Sequence, residues 1–283
     1  MSIDMDETFS SIDFVTQCLT DQKRTFKFQE AIQKVVRPDD VVLDSGTGSA
    51  ILALMAARAG AKKVIAVEYD PFIAKIAVQN IVRNGYEDVI DIVVGDVRNT
   101  HFPDGTKFDV VIMEMLTTGM IDEFQVWTMN HLHRKGYVDD KTRFLPLRQD
   151  TYIAPVFADY TNYGFDMRMV RHVWDPHALI ETKPLAESAL LNSISFDSTN
   201  PLEFKTELTF AVTEDGTINS VYLTSNTILA DGLEVGDTSA LNAPVVFPLK
   251  SDVAVSKGDT VKVSVRYQFG GGFRNFHAGI KVV

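Results

Sequence analysis

Cysteine is nearly absent from this chain, which has one, Cys18, in 283 residues. A single thiol forms no internal disulfide and cannot supply the several thiolates of a structural zinc cluster, and it is typical of a reducing compartment. Long apolar runs are missing too, since no stretch approaches the ~20 apolar residues that span a bilayer. Residues 1–9 carry acidic side chains where a secretory signal carries basic ones. We therefore expect a cytoplasmic protein with no membrane segment.

Positive charge is scarce, with 27 lysines and arginines against 38 aspartates and glutamates and a formal net charge of −11. Phosphate backbones are themselves negative, so nucleic acid is a disfavoured partner. A hydrophobic content of 45% with 23% charged residues excludes a disordered or fibrous chain and indicates a folded globular protein. The length allows one or two domains.

The first half of the chain alternates short apolar runs with segments of helical period, a pattern typical of a parallel sheet covered by helices. Strands are predicted where the runs are almost wholly apolar, at 41–43, 64–67, 92–94 and 110–113. Helices are predicted over about 20–36, 51–59 and 72–84. Asp70 and Pro71 suit the start of the last of these helices, and Gly85 suits its end.

After about residue 146 the pattern changes to strict alternation of apolar and polar residues, as in 204–212 and 261–269. Glu214-Asp215-Gly216 lies between apolar runs and predicts a hairpin turn. We therefore expect a cofactor-binding α/β domain over 1–147 and an antiparallel sheet or barrel over 148–283. Segment 167–184 fits neither pattern, and an inserted helical arm is one interpretation of it.

The first predicted strand runs directly into Asp44-Ser45-Gly46-Thr47-Gly48-Ser49-Ala50 and then into a helix. Glycines at such a place allow the backbone to turn tightly and to lie against a ligand, although a plain strand-to-helix turn also uses them. Asp44 just before the loop favours a cationic ligand over a pyrophosphate. S-adenosylmethionine fits, because it carries an ammonium and a sulfonium group and no phosphate.

Acidic residues stand at the ends of successive predicted strands. Glu68 follows the second strand, where a carboxylate can accept both hydroxyls of a ribose, and Asp96 and Val97 follow the third, where they can meet an adenine. Glu114 follows the fourth. Because the carboxyl ends of parallel strands meet at one edge of a sheet, we expect these groups and Asp44 to lie together.

A second glutamate, Glu123, follows Glu114 nine residues later. With this pair the sequence resembles the protein arginine methyltransferases, whose signature is a glycine-rich loop after the first strand and two glutamates nine residues apart after the fourth. The similarity extends from about residue 21 to the end of the chain. The stretches that carry it are 42–52, 61–68, 108–123 and the Tyr-Gly-Phe-Asp-Met sequence at 163–167.

The resemblance implies a Rossmann-like class I methyltransferase domain followed by a β-barrel, with an arm around 157–184 that forms a homodimer. It implies S-adenosylmethionine as the cofactor, with its carboxylate held by Arg24. The cofactor-binding residues would then be Arg24, Asp44, Gly46, Gly48, Glu68, Asp96 and Val97. Glu114 and Glu123 would be catalytic and would hold a guanidino or amino nitrogen of a protein or small-molecule substrate, and no metal is expected.

Elementary electrostatics agrees with a glutamate pair at such a site. A guanidinium keeps its charge in proteins and offers five donors in a planar fork that carboxylates match. Beside the cofactor sulfonium, two like charges ~4 Å apart repel by about 4 kcal/mol at an effective dielectric near 20. Two carboxylates offset that repulsion.

The sequence also departs from the family. Ala50 replaces the third glycine of the loop, Arg98 stands where the family has an acid, and the aromatic N-terminal motif is not evident in residues 9–14. The family's Thr-His-Trp loop is replaced by Ala-Leu-Asn-Ala-Pro at 240–244. Methyl transfer is unaffected, but the acceptor is left open. The alternatives are a methyltransferase of a small metabolite or RNA on the same scaffold, and a non-catalytic S-adenosylmethionine-binding protein.

Overall fold

A computed structural model of the chain describes residues 11–173, 180–238 and 242–283. Its first part holds a five-stranded parallel sheet with the strand order β3-β2-β1-β4-β5. The strands are β1 (Val41–Ser45), β2 (Lys63–Glu68), β3 (Ile90–Val94), β4 (Val110–Met113) and β5 (Arg143–Leu145). The order reverses between β1 and β4, and in open α/β sheets ligands bind outside the carboxyl ends of the strands at this point.

The helices of this part are α1 (Ile12–Thr20), α2 (Gln22–Val35), α3 (Ile51–Arg58), α4 (Pro71–Arg83) and α5 (Gln125–Lys135). The predicted helices thus form within two residues of their expected bounds. Asp70 caps α4, because its Oδ1 accepts hydrogen bonds from the amides of Phe72 and Ile73 at 2.7 and 3.0 Å. Apolar side chains of the helices and strands form a core on both faces of the sheet.

The second part is antiparallel. A seven-stranded sheet has the order β10-β6-β13-β15-β9, with β11 beside β6 and β14 beside β13, and a three-stranded sheet has the order β12-β16-β17. The longer strands are β6 (Arg148–Ala158), β11 (Ala189–Ser195), β12 (Glu203–Ala211), β13 (Gly216–Ala230), β15 (Val245–Val255), β16 (Thr260–Gln268) and β17 (His277–Val282). The short ones are β7 (Thr161–Asn162), β8 (Phe165–Asp166), β9 (Arg171–His172), β10 (Thr182–Pro184) and β14 (Leu233–Val235).

An α/β part followed by antiparallel sheets confirms the expected fold class, with two corrections. The predicted hairpin at Glu214-Asp215-Gly216 is wrong, because β12 pairs with β16 whereas β13 pairs with β6 and β15. The turn instead carries the chain from one sheet to the other. A helix in segment 167–184 is also wrong for its described residues, which hold the short strands β9 and β10. Over the described ranges the antiparallel sheets do not close into a complete barrel.

The loop after β4 joins the two parts of the molecule. It contains a 3-10 turn (Thr118–Met120), and a second such turn (Phe273–Asn275) precedes β17. The hydroxyl of Tyr267, on β16, donates a hydrogen bond to the carbonyl of Gly119 at 2.9 Å, and Tyr267 is 2% exposed. The loop that follows β4 is therefore held by the antiparallel sheet that contains β16. A domain division at residue 147, between β5 and β6, remains a prediction.

Among the helices of the described ranges, none has both the length and the apolar character that crossing a membrane requires.

Candidate active site

A cleft opens at the carboxyl edge of the parallel sheet, where β1 and β4 diverge, and α1 covers one side of it. Side chains from all of these elements line the cleft. From the helices come Phe14, Val15, Cys18, Leu19, Arg24, Thr25, Phe28 and Thr128. From the strand ends and the loops come Gly46, Thr47, Gly48, Glu68, Asp96, Val97, Arg98, Glu114, Met115, Glu123 and Phe124.

The glycine loop after β1 has the conformation that its sequence predicts. Gly46 and Gly48 have φ of 73° and 52°, in the left-handed region where a side chain is strained. A Cβ atom on Gly46 would also lie 3.2 Å from Cγ of Met115. Ala50, in the position of the third glycine, has φ of 67° and begins α3. The loop therefore accepts alanine there, at a cost of about 1 kcal/mol.

The amides of this loop are already engaged within the protein. Those of Gly46 and Thr47 donate to the carbonyl of Val67 at 3.0 and 2.9 Å, and that of Gly48 donates to Oε2 of Glu68 at 2.9 Å. A phosphate at a glycine loop needs such amides as donors. The loop consequently suits a ligand without phosphate, as S-adenosylmethionine is.

Glu68 ends β2 and is 4% exposed. Besides the Gly48 amide, its carboxylate accepts the amide of Asp70 on Oε1 at 2.9 Å. These two bonds fix the orientation of the carboxylate at the edge of the cleft.

Asp44 lies under the glycine loop, and it is not among the residues that line the cleft. Its Oδ2 accepts the hydroxyl proton of Thr47 at 2.5 Å. Burial raises the pKa of Asp44 to about 7, although its hydrogen bonds with Thr47 and with the amide of Ala53 oppose the rise. The structure thus places Asp44 where it shapes the loop.

Asp96 and Val97, after β3, both line the cleft, and Asp96 is paired with the neighbouring Arg98. The guanidinium donates to the Asp96 carboxylate from Nε at 2.9 and 3.0 Å and lies 2.8 Å from it through Nη2. Burial acts to raise the pKa of Asp96, but the Arg98 bonds outweigh burial and lower it. The same guanidinium carbon is 3.9 Å from the ring centre of Phe124. Arg98, a departure from the family, therefore links the third strand end to the loop that carries Glu123.

Glu114 follows β4 and forms a buried ion pair with Arg24 of α2. Nη1 of Arg24 donates to Oε2 of Glu114 at 2.6 Å, and the second terminal nitrogen donates to the carbonyl of Cys18. Burial raises the pKa of Glu114, and the charge of Arg24 opposes that rise. The other oxygen, Oε1, is buried and has no hydrogen-bond partner in the described structure. Nothing in the sequence indicated this pairing.

Glu123 lines the same cleft and is 6% exposed. The turn before β17 packs against its loop: the amides of Gly270 and Gly272 donate to the carbonyls of Met120 and Ile121 at 3.0 and 2.8 Å. Asp122, the neighbouring acid, is not among the cleft residues. Its pKa is raised to about 6 by burial, against the effect of a hydrogen bond from the amide of Phe273.

The region that replaces the Thr-His-Trp loop contacts the loop after β4. The carbonyl of Ala243 accepts the hydroxyl proton of Thr118 at 2.5 Å, and Asn242 is buried and donates to the carbonyl of Ser225 at 3.4 Å. Ala240 and Leu241 lie outside the described residues. The described part of this region therefore contacts the loop after β4 through the carbonyl of Ala243.

Several cleft residues escaped the sequence analysis. Phe14, from the stretch where no aromatic motif was evident, lines the cleft, and Phe9 lies outside the described residues. Thr128 on α5 also lines it, with a buried hydroxyl that has no hydrogen-bond partner in the described structure. Burial, together with the charge of Glu114, raises the pKa of Cys18 to about 12.

The site combines a parallel sheet, a glycine loop whose amides are engaged within the protein, and carboxylates at the strand ends. Together these features define the class of S-adenosylmethionine-dependent methyltransferases. A family model described as ribosomal protein L11 methyltransferase (PrmA) matches residues 25–139. An uncharacterised protein of Methanocaldococcus jannaschii is 36% identical over 253 residues, which are 89% of this chain and 91% of that protein.

Two arginine methyltransferases are also similar. The probable protein arginine N-methyltransferase 1.2 of Arabidopsis thaliana is 30% identical over 204 residues, and the match covers 68% of this chain and 53% of that protein. The structure of the Trypanosoma brucei PRMT1 enzyme-prozyme heterotetrameric complex with AdoHcy superposes with a TM-score of 0.78 at 19% identity, over 97% of this chain and 94% of that one. That structure supports the fold.

This chain belongs to the same family as the M. jannaschii protein, and it is similar in sequence to protein arginine methyltransferases. It is an enzyme that uses S-adenosylmethionine as its cofactor.

Proposed function

We propose that the enzyme methylates a guanidino or amino nitrogen that Glu114 and Glu123 hold. The observation that carries the proposal is that these two carboxylates, on largely buried side chains, line the same cleft as the glycine loop. The two glutamates are nine residues apart along the chain, so the fold of the intervening loop must bring them to one cleft. The turn around Gly270 holds that loop in place.

The cofactor residues have distinct tasks in this proposal. Gly46 and Gly48 let the backbone lie against the cofactor, and Glu68 accepts the ribose hydroxyls. Asp96 and Val97 receive the adenine, and Arg24 holds the carboxylate. Asp44 acts as a positioning residue through Thr47. When bound, S-adenosylmethionine supplies an electrophilic methyl group on a positive sulfur.

The glutamates serve to place a cationic or polar nitrogen beside that positive sulfur. Glu114 and Glu123 accept hydrogen bonds from the acceptor group, and their charges offset its repulsion from the sulfonium. Holding the nitrogen in line with the methyl group is an effect of orientation, which can supply a large part of a rate acceleration. The unpartnered Oε1 of Glu114 is an acceptor that such a donor would satisfy.

A protein arginine is the acceptor to test first, since curated relatives are named protein arginine N-methyltransferases. The chain spans about half the length of those relatives, so their substrates come to this enzyme as a proposal. A free guanidine or amine would use the same two carboxylates. We also propose that the arm around residues 157–184 forms a homodimer, as the family resemblance implies.

The test combines calorimetry with a labelled-methyl assay on arginine peptides and guanidines. Glu114→Gln and Glu123→Gln are each expected to reduce turnover by at least about a hundredfold, as loss of a charge that acts in the transition state does. Affinity for S-adenosylmethionine should stay within about threefold in Glu123→Gln, because the carboxylate acts on the acceptor.

Asp122→Asn is the matched control, since it removes the adjacent acid outside the cleft. Its turnover should equal that of the wild type. Undiminished turnover in both glutamate variants would contradict the proposal.

A further inference from the structure

A second groove lies on the antiparallel sheets and shares no lining residue with the cofactor cleft. Its basic residues are Lys205 on β12, Lys250 on β15, Arg266 on β16, Arg274 in the turn before β17 and His277 on β17. The described residues that line it include no aspartate or glutamate. Such a concentration of cations is notable in a chain of net charge −11.

Three of these side chains form a row across neighbouring strands. In the antiparallel register Arg266 lies directly opposite Lys205 on one side and directly opposite His277 on the other. Lys205 and Arg266 are both cationic, and like charges in directly opposed positions destabilise a sheet. A bound anion would remove that repulsion.

The next basic pair, on β16 and β17, shares one carboxylate within the protein. Lys262 and Lys281 are also register partners, and Glu207 lies 3.2 and 3.5 Å from their ammonium groups. Lys205 and Arg266 have no ion-pair partner within the described part of the chain. Glu207 is on the same strand as Lys205, two residues further on, but its carboxylate pairs with those two lysines. Lys205 and Arg266 are thus left without the carboxylate that the neighbouring pair has.

The groove is adjacent to the loop that carries Glu123. The amide of Phe273 bonds to Asp122, the neighbour of Glu123, and Arg274 is the residue after Phe273. The same short turn therefore contacts the glutamate loop at one end and the basic groove at the other.

We propose that this groove binds an acidic segment of the protein substrate, so that the acceptor residue is flanked by aspartates or glutamates. The inference rests on the proposed function, because the substrate would place its cationic nitrogen on the glutamates and its acidic segment on the basic row. Oppositely charged surfaces of this kind give specificity and a faster encounter.

A peptide fits this groove better than a nucleic acid. Nucleic-acid binding without sequence preference uses exposed aromatic rings as stacking platforms. Here Phe247 and Phe276 pack against each other with ring centres 4.7 Å apart, and Phe276 is buried. The overall charge of −11 also opposes a long phosphate backbone.

The binding test uses fluorescence anisotropy of a labelled oligoglutamate peptide with the full chain. Lys250→Glu/Arg274→Glu should weaken binding by about tenfold or more, because each reversal turns an attraction into a repulsion. Lys62→Glu/Lys257→Glu is the matched control, with the same change in net charge at sites outside the groove, and should stay within about twofold. Equal affinity in the two variants, or tighter binding of a single-stranded RNA than of the peptide, would overturn the proposal.

The catalytic test uses two arginine peptides that differ in whether an acidic run flanks the arginine. The acidic peptide should have a KM about fivefold or more below that of the neutral one with equal kcat, and Lys250→Glu/Arg274→Glu should abolish the difference. Equal KM values in the wild type would overturn the docking role. Methylation of neither peptide, with oligoglutamate still bound at the groove, would contradict the proposed acceptor and support the acidic-segment site.

Discussion

The carboxyl group of Asp44 lies beneath the glycine loop and is 1% exposed. Burial raises its pKa from 3.8 to about 7, so between about pH 4 and pH 7 the folded chain holds a proton that the unfolded chain has lost. The folded state then binds more protons, and the free energy of unfolding must fall as the pH rises through this window. This contribution is fully present below about pH 4 and is lost above about pH 7.

Asp44→Asn should therefore flatten the pH dependence of stability. Asparagine keeps the shape and an acceptor for Thr47 but carries no charge at any pH. Between pH 5 and pH 8 we expect the free energy of unfolding, measured in urea without cofactor, to fall by on the order of 2 kcal/mol more in the wild type than in the variant. Parallel profiles for the two proteins would show that Asp44 ionises with an ordinary pKa.

The sequence predicts that acids gather at the carboxyl ends of the strands, and Glu68, Asp96, Glu114 and Glu123 do line one cleft. It does not predict that Asp44 lies behind the loop. In a strand buried on both faces, such as β1, no alternation of polar residues marks which face a side chain takes. The Arg24–Glu114 pair was equally hidden, because it joins residues 90 positions apart.

At the scale of the element, the connection between β16 and β17 supports the loop that carries Glu123. Gly270 has φ of +69°, and a Cβ atom there would lie 3.0 Å from the carbonyl oxygen of Glu123 and from Cδ1 of Phe124. Backbone on one side and a packed ring on the other leave little room for the added atom. The contact, as well as the strained φ, should therefore oppose any side chain.

Gly270→Ala should consequently lose about 1–3 kcal/mol more stability than Gly258→Ala. Gly258 is the matched control, because it also has a positive φ, of +92°, but a Cβ atom there would meet nothing within 4 Å. Urea unfolding measures the difference. We also expect Gly270→Ala to reduce methyl transfer more than cofactor affinity, since it displaces the loop of Glu123. Equal losses of stability in the two variants would mean that the turn around Gly270 accommodates the added Cβ atom without extra strain.

The strands of the second half were predictable from sequence, and their partners were not. Alternation of apolar and polar residues identifies β12 and β16, because each has one face in the core. Alternation says nothing about which strand lies beside which. The turn at Glu214-Asp215-Gly216 therefore suggested a local hairpin, whereas β12 pairs with β16, about fifty residues later in the chain.

At the scale of the whole molecule, apolar side chains are exposed at two separate places. In the arm, Tyr163 is 100%, Phe165 68% and Met169 65% exposed. On the outer face of α4, Phe72 is 58% and Val82 53% exposed. Exposed apolar patches on a soluble protein mark interaction sites. The arm of one copy against the helical face of a second would cover both patches.

Phe165→Asp/Met169→Asp should therefore convert a dimer into a monomer, halving the mass that sedimentation or light scattering measures. The two side chains are exposed, so the monomer should keep its fold, and its far-ultraviolet circular dichroism should match that of the wild type. Leu190→Asp/Val283→Asp makes the same chemical change at exposed positions, on β11 and just after β17, and should remain dimeric. A wild type that is monomeric at micromolar concentration would leave the arm without this role, and a dimeric arm variant would place the interface on another surface.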